Sequence, residues 1–235
     1  MKLHRFYISP SVELAHDFWL HDEKILHQWN RVLRFRANQE VVLFDGQKTD
    51  RLYKIDEITD KEAHLVLVTE LIPKTPKKDI YLLWSLLKKD KNDWVLQKCT
   101  ELGVSHFIPI LADRSEKTGF KLDRAKKIVI EASEQCGRSD IPNVREPILI
   151  STALEELGDR IDLCVAEKNA EQSSQLTADS KQPKDAVGIF VGPEGGWSDS
   201  EKQLFEKLGL KNLNLHDFTL RAETAAVAAT AKLLQ

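Results

Sequence analysis

The stretch AVGIFVGPEGGWSDSE, from Ala186 to Glu201, constrains this chain more than any other. An unbroken apolar run from Ala186 to Val191 ends in a turn holding Gly192, Pro193, Gly195 and Gly196, and polar residues then open an amphipathic segment. That is the order of a buried strand, a loop and a helix. Ser198 and Glu201 stand at capping-box spacing, in which the hydroxyl and the carboxylate each satisfy an amide left unpaired at the helix start. The glycines let the backbone take positive φ and let a ligand approach main-chain amides and carbonyls. A phosphate cradle fits poorly, because Glu194 would oppose an anion, no Gly-Lys-Ser/Thr follows, and GxGxxG spacing is absent. A cationic or neutral ligand fits better. On the glycines alone, a tight strand-to-helix turn with no ligand stands about even with it.

The chain has 235 residues, enough for two small domains and a substantial core. With 42% hydrophobic and 30% charged residues and no apolar run long enough to cross a bilayer, the expectation is a soluble protein with no membrane partner. Met1 to Pro10 mixes charge with aromatics and has no signal-peptide apolar core, so the expected location is cytoplasmic. The three cysteines, Cys99, Cys136 and Cys164, contain no CxxC pair, and with seven scattered histidines they make no zinc pattern. Buried thiols and no metal are expected. The net charge of -3 does not announce a nucleic-acid partner, although a basic face can hide in a neutral total.

From Met1 to about Ile72 the chain shows short β-like pieces, His4 to Ser9, Val41 to Asp45 and His64 to Thr69, which predict a small β-rich domain. Its cations include Lys2, Arg5, Arg31, Arg34 and Arg36. In a strand, Arg34 and Arg36 would oppose Phe35, a stripe suited to RNA phosphates. From charge alone the favoured reading is a solvated face neutralised by Asp17, Asp22 and Glu23. Pro73-Lys74-Thr75-Pro76-Lys77-Lys78 interrupts the pattern and marks the domain boundary, giving domains 1–72 and 73–235.

Beyond it, strands alternate with helical segments. Strands are predicted over Ile80 to Leu87, Val104 to Leu111, Ile161 to Ala166 and Ala186 to Val191, with a short one near Leu213 to Leu215. Val95, Cys99 and Leu102 share a helical face, as do Ala125, Val129, Ala132 and Cys136. Gly103 suits the position after a helix end. The pattern predicts an α/β fold with a largely parallel sheet covered on both sides. Asn169 to Asp185, with almost nothing apolar, is expected as a mobile loop. An alanine-rich helix from Arg221 to Leu234 closes the chain and is expected to pack closely.

DWVLQKCTELGVSHFIPILADRS (Asp93 to Ser115), EASEQCGRSDIPNV (Glu131 to Val144), VGPEGGWSDSE and LRAETAA (Leu220 to Ala226) together resemble the RsmE family. These are bacterial methyltransferases that modify a uridine of 16S rRNA at N3. HRFYI (His4 to Ile8), RVLRF (Arg31 to Phe35) and VVLFDG (Val41 to Gly46) are similar to that family's N-terminal domain. The resemblance implies a PUA-like β-barrel for RNA, followed by a SPOUT domain with a C-terminal trefoil knot that holds S-adenosyl-L-methionine, working as a homodimer on the small ribosomal subunit. Periodicity would have argued against a knot. It further implies a cofactor pocket walled by Gly192, Pro193, Glu194, Gly195 and Gly196, by Ala166 and Glu167, and by the turn from Leu215 through His216 to Leu220. The cofactor's sulfonium cation agrees with the objection to a phosphate cradle. Where the family has Gly-Xaa-Arg, this chain reads His216-Asp217-Phe218, which restricts the backbone and removes a cation.

Methyl transfer to uracil N3 requires an exposed base, loss of the imide proton and an aligned methyl donor, so positioning dominates. Negative charge then spreads onto the flanking carbonyl oxygens, which a guanidinium stabilises. Arg221 is the first candidate, with Arg138 and Arg114 behind it. Glu223 or water takes the proton, since arginine cannot. Glu223 also suits the positive end of the last helix, and Arg114 and Arg138 equally suit surface or phosphate contacts. Arg5, Arg31, Arg34 and Arg36 are the RNA-binding candidates. Two alternatives stay open: methylation of another RNA position such as a ribose 2′-hydroxyl, and a non-catalytic RNA-binding or ribosome assembly factor.

Overall fold

The computed structural model describes residues 3–47, 49–88, 90–116, 118–167 and 186–234. Lys2 and the expected mobile loop Asn169 to Asp185 lie outside the described residues. The chain divides into two compact units, Met1–Thr75 with Ser133–Ile141, and Pro76–Ala132 with Pro142–Gln235. The first unit thus recruits a segment from far along the chain. Helical periodicity could not reveal this, since it reports which face is buried but not against what.

In the first unit, β1 (His4–Tyr7), β2 (Asp17–Leu20), α1 (Glu23–His27), a π-helical turn (Gln28–Leu33), β3 (Glu40–Phe44), β4 (Asp50–Ile58) and β5 (Ala63–Leu71) follow in order. The sheet runs β1-β3-β4-β5-β2, parallel only between β1 and β3. Alternate residues, among them Val41 and Leu43, Tyr53 and Ile55, and Ala63 and Leu65, bury one face around Phe6, Trp29 and Phe35. Asp22 caps α1, accepting from the Lys24 and Ile25 amides at 2.9 and 3.1 Å.

Arg31 to Phe35, whose basic and apolar residues would separate if they formed a strand, is not one. The π-helical turn ends at Leu33, and Arg34 caps it in the left-handed region at φ 56. Phe35 is buried while Arg31, Arg34 and Arg36 are exposed, so the split between apolar and basic side chains arises from a helix end rather than from strand alternation.

Arg5 also departs from expectation. Its guanidinium lies over the Phe44 ring, 5.0 Å from the centroid, and donates to both carboxylate oxygens of buried Asp50 at 3.0 and 3.1 Å. Asp50 accepts again from Ser139 Oγ at 2.8 Å, and the Tyr7 amide donates to Glu134 Oε1 at 2.8 Å. A desolvated carboxylate needs such partners. Arg5 therefore helps hold the segment from Ser133 to Ile141 within the first unit, and is not an exposed phosphate reader.

The second unit contains β6 (Asp79–Ser85), α2 (Asp90–Glu101), β7 (His106–Leu111), α3 (Leu122–Cys136, leaving this unit at Ser133), β8 (Asn143–Val144), β9 (Ile148–Leu149) and α4 (Ile150–Leu157). It continues through β10 (Asp162–Ala166), β11 (Ala186–Val191), α5 (Asp199–Lys207), β12 (Lys211–Leu213) and α6 (Ala222–Leu233). The sheet order is β12-β10-β11-β6-β7-β8, with β9 also on β7, and every pairing is parallel. A parallel sheet covered on both faces explains the continuous apolar runs of β6 and β11. Gly188 sits in β11 where a Cβ would come within 2.7 Å of Leu163 Cδ2, so a side chain there would force the Leu163 side chain to shift.

The strand expected over Leu213 to Leu215 ends at Leu213, which frees Asn214 and Leu215 for the loop beyond. Cys99 and Cys164 are buried, and desolvation pushes both thiols up to about 12; Cys136, expected to be buried with them, is exposed at the end of α3.

Candidate active site

Three adjacent parallel strands, β12, β10 and β11, end side by side, and their outgoing loops enclose a cavity of about 410 Å³. Carboxyl ends of parallel strands are where such sheets bind ligands, because the backbone diverges there into loops. Ala166 and Glu167 leave β10, Val191 to Glu194 leave β11, and Asn214 to Leu220 follow β12. The capping box is complete. Ser198 Oγ accepts from the Glu201 amide at 3.3 Å and Glu201 Oε2 from the Ser198 amide at 2.7 Å, which fixes where the glycine loop turns into α5.

The structure brings nine of the ten anticipated cofactor residues to this cavity: Ala166, Glu167, Gly192, Pro193, Glu194, Gly196, Leu215, His216 and Leu220. Gly195 does not line it. A Cβ there would touch the Arg114 side chain at 3.4 Å, and the Gly195 carbonyl accepts from Arg114 Nη1 at 3.0 Å. Arg114 therefore braces the loop from behind and is not among the lining residues.

The lining suits an organic ligand with an apolar body and a few polar groups. Gly196 has φ +68 and nothing within 4 Å of where a Cβ would stand, so bare backbone faces open space. At Gly192 a Cβ would come within 3.1 Å of the Trp197 ring. Trp197 is 3% exposed, packed against Phe190 and Phe205, and its Nε1–H has no partner although a buried indole N–H ordinarily finds one. Ala166, Leu215, Leu220 and Ala225 supply apolar wall. A nucleoside-bearing sulfonium fits such a set: apolar wall for the ring, main chain for its polar edge, and carboxylates near the cation.

Those carboxylates already have cations. Glu194 Oε1 accepts from Lys91 Nζ at 2.9 Å, and the same ammonium lies 3.4 Å from Glu223 Oε2, joining α2, the glycine loop and α6. Burial is the largest single influence and would raise the Glu194 carboxyl, but the Lys91 hydrogen bond, a backbone amide and the charges of Lys91 and Lys88 together outweigh it and hold the group below its ordinary range. The hydrogen bond to Glu194, opposed by desolvation and helped by the charges of Glu194 and Glu223, likewise raises Lys91. Glu167 has Lys202 at 3.7 Å. Nothing in the residue order singles out Lys91, since a lysine in a charged helix start resembles any solvated one.

Of the catalytic candidates, Arg221 alone lines the cavity, exposed at the N-cap of α6. Glu223 is turned toward Lys91, with a side chain 15% exposed, and does not line it. Arg138 is buried in the first unit, where its guanidinium grips Asp140 at 2.5 and 3.0 Å; those contacts make it a structural residue there rather than a member of this cavity. Among the described residues no cluster of His, Cys, Asp and Glu could hold a metal ion.

The His216-Asp217-Phe218 turn does not strain the backbone. Among described non-glycine residues only Arg34 and Asn38 have positive φ, so His216 needs no glycine. Its amide donates to Asn214 Oδ1 at 3.2 Å and its Nδ1 accepts from the Phe218 amide at 3.1 Å. Asn214 and Lys202 also line the cavity, unannounced by any spacing in the sequence, and Thr219 does so within the anticipated turn.

The family described as RNA methyltransferase domain matches residues 73–234, and that described as RNA methyltransferase PUA domain matches residues 31–68. The ribosomal RNA small subunit methyltransferase E of Rickettsia conorii is 29% identical over 234 residues, covering 99% of this chain and 96% of the relative. That of Bacillus subtilis is 31% identical, covering 97% and 94%. The crystal structure of the ribosomal RNA small subunit methyltransferase E from Neisseria gonorrhoeae bound to S-adenosyl methionine superposes with a TM-score of 0.88 at 31% identity, covering 99% of this chain and 97% of that one. With a PUA-like first unit, a SPOUT-type second unit and matches of this length, the chain belongs to the RsmE family of ribosomal RNA small subunit methyltransferases.

Proposed function

We propose that the chain binds S-adenosyl-L-methionine in the cavity at the ends of β10, β11 and β12 and methylates N3 of a decoding-region uridine in 16S rRNA, acting on the assembled small subunit as a homodimer with a knotted cofactor loop. The observation that carries this reading is the bare backbone of Gly196 and the unpartnered, buried Trp197 N–H lining one cavity with Arg221. The bound cofactor supplies an electrophilic methyl group. The chain's own residues do the rest by position. Gly192, Pro193, Glu194 and Gly196 wall one side, while Leu215 and Leu220 hold the apolar part. Arg221 stands at the rim with a permanent charge, suited to the anion that develops on the uracil carbonyl oxygens as the imide proton leaves. Water serves as the proton acceptor in this reading, because Glu223 faces Lys91.

Exposed Arg34 and Arg36, with Arg31 loosely paired to Asp60 at 3.3 Å, support a phosphate-contacting role for the first unit. The test is methyl transfer from labelled cofactor to small subunits lacking the modification, followed by nucleoside digestion and mass spectrometry. Label in 3-methyluridine is expected. Label in a ribose-methylated nucleoside would move the chemistry to a 2′-hydroxyl, and no transfer with no cofactor heat in calorimetry would make the protein a binding module.

A further inference from the structure

At the mouth of the cavity the Phe218 side chain is 76% exposed, an unusual state for a ring that lines a site. It does not hang free. The His216 ring lies against it with centroids 5.1 Å apart and planes 26° from parallel, and the Phe218 amide donates to His216 Nδ1 at 3.1 Å. The turn beneath is tied down as well, since Asn214 Oδ1 takes the His216 amide and the Asn214 carbonyl accepts from Lys232 Nζ of α6 at 2.5 Å. One face of Phe218 is thus backed by a second ring while the residue stays largely open to solvent. Such a ring is already ordered, so a planar partner arriving on it loses little further side-chain entropy.

We propose that Phe218, backed by His216, is a stacking shelf for an unpaired base of the RNA substrate. This assignment rests on the methyl-transfer reading above. A base that reacts on its pairing edge must leave its helix, and an aromatic face replaces the stacking it gives up. The shelf stands at the rim, whereas the half-buried apolar wall of Leu215 and Leu220 lies inside, so the cofactor's own ring belongs to the interior and the shelf to the RNA. Arg221, exposed on the same rim, supplies charge beside it.

The full-length chain and its Phe218→Ala, Phe218→Leu and Phe218→Trp variants would be titrated with a uridine-containing single-stranded oligoribonucleotide by fluorescence anisotropy, and with S-adenosyl-L-methionine by calorimetry. Phe218→Ala and Phe218→Leu should weaken RNA binding about 5- to 100-fold, and Phe218→Trp should restore it. The loss should persist at high salt, where phosphate contacts fade. Cofactor affinity should not move, and in methyl transfer the KM for RNA should rise with kcat little changed. Unchanged RNA affinity in Phe218→Ala overturns the proposal. So does a loss of cofactor affinity alone, which would put the ring on the adenine, or a changed oligomeric state alone, which would put it against a second copy. A wild-type chain that binds RNA through Phe218 yet transfers no methyl group would sink the reading above and leave the shelf standing.

Discussion

Lys91 Nζ lies 2.9 Å from Glu194 Oε1, tying the first turn of α2 to the glycine loop that walls the cavity. With Glu223 Oε2 at 3.4 Å on its other side, this one ammonium balances two carboxylates, one from the glycine loop after β11 and one from the first turn of α6. Lys91→Met should lower Tm and weaken cofactor binding several-fold, because both carboxylates lose their cation. The effect depends on pH with a definite sign. Glu194 is depressed below its ordinary 4.5, so its contribution is present above that value and is lost as pH falls through the folded pKa. Lys91 is raised above 10.5, so its share is present below that value and is lost as pH rises through the folded one. A double-mutant cycle with Glu194→Gln should show coupling at neutral pH that vanishes in acid; no coupling at neutral pH would mean the pair is incidental.

Gly196→Val places a branched side chain at φ +68, on backbone that faces the open cavity. The left-handed conformation should cost about 1–2 kcal/mol, seen as a lower denaturation midpoint with an unchanged slope. Cofactor heat in calorimetry should be lost. A folded variant that keeps wild-type affinity would remove this loop from the binding site.

Arg221→Ala should lower kcat by about 10²- to 10³-fold if the guanidinium meets the developing anion, with cofactor affinity nearly unchanged. Arg221→Lys should recover only part of this, since the charge stays but the planar fork is gone. Glu223→Gln should keep most of kcat and leave the pH profile of transfer in place, because that carboxylate is turned toward Lys91. A loss of about 10²- to 10⁴-fold in Glu223→Gln would instead identify it as the base.

His64 in β5 reaches Asp17 Oδ1 of β2 at 2.7 Å and Asp56 Oδ2 of β4 at 3.3 Å, and stacks on Trp19. The hydrogen bond to Asp17, opposed by desolvation and helped by Asp56, raises its pKa above 6.5. Its contribution is therefore fully present below 6.5 and lost as pH rises through the folded value. His64→Gln should cost more thermal stability in acid than in alkali, and a pH-independent difference would mean the imidazole is neutral throughout.

The second unit was the more legible of the two. Its strands are buried on both faces and read as continuous apolar runs, and the Ser198–Glu201 box announces a helix start within a residue. In the first unit Asp17–Leu20 and Asp50–Ile58 went unread as strands, because β2 alternates too briefly and β4 carries polar residues and two irregularities in its pairing with β5. Arg31 to Phe35 misled, since a π-helical turn ending in a left-handed arginine leaves the same pattern of buried and exposed side chains as a strand.

What residue order settled was local chemistry: a loop whose side-chain-less positions open the backbone to a ligand, a helix start with its own cap, and motifs specific enough to name a family. Partnership was decided only in three dimensions. Lys91 is indistinguishable from a solvated lysine until Glu194, more than a hundred positions away, is brought beside it by the parallel sheet. Arg138 and Arg221 read alike along the chain, yet one is buried against Asp140 in the first unit and the other stands at the cavity rim. The reason is physical: a charge acquires its role from whatever replaces the water around it, and that replacement comes from segments that only tertiary packing assembles.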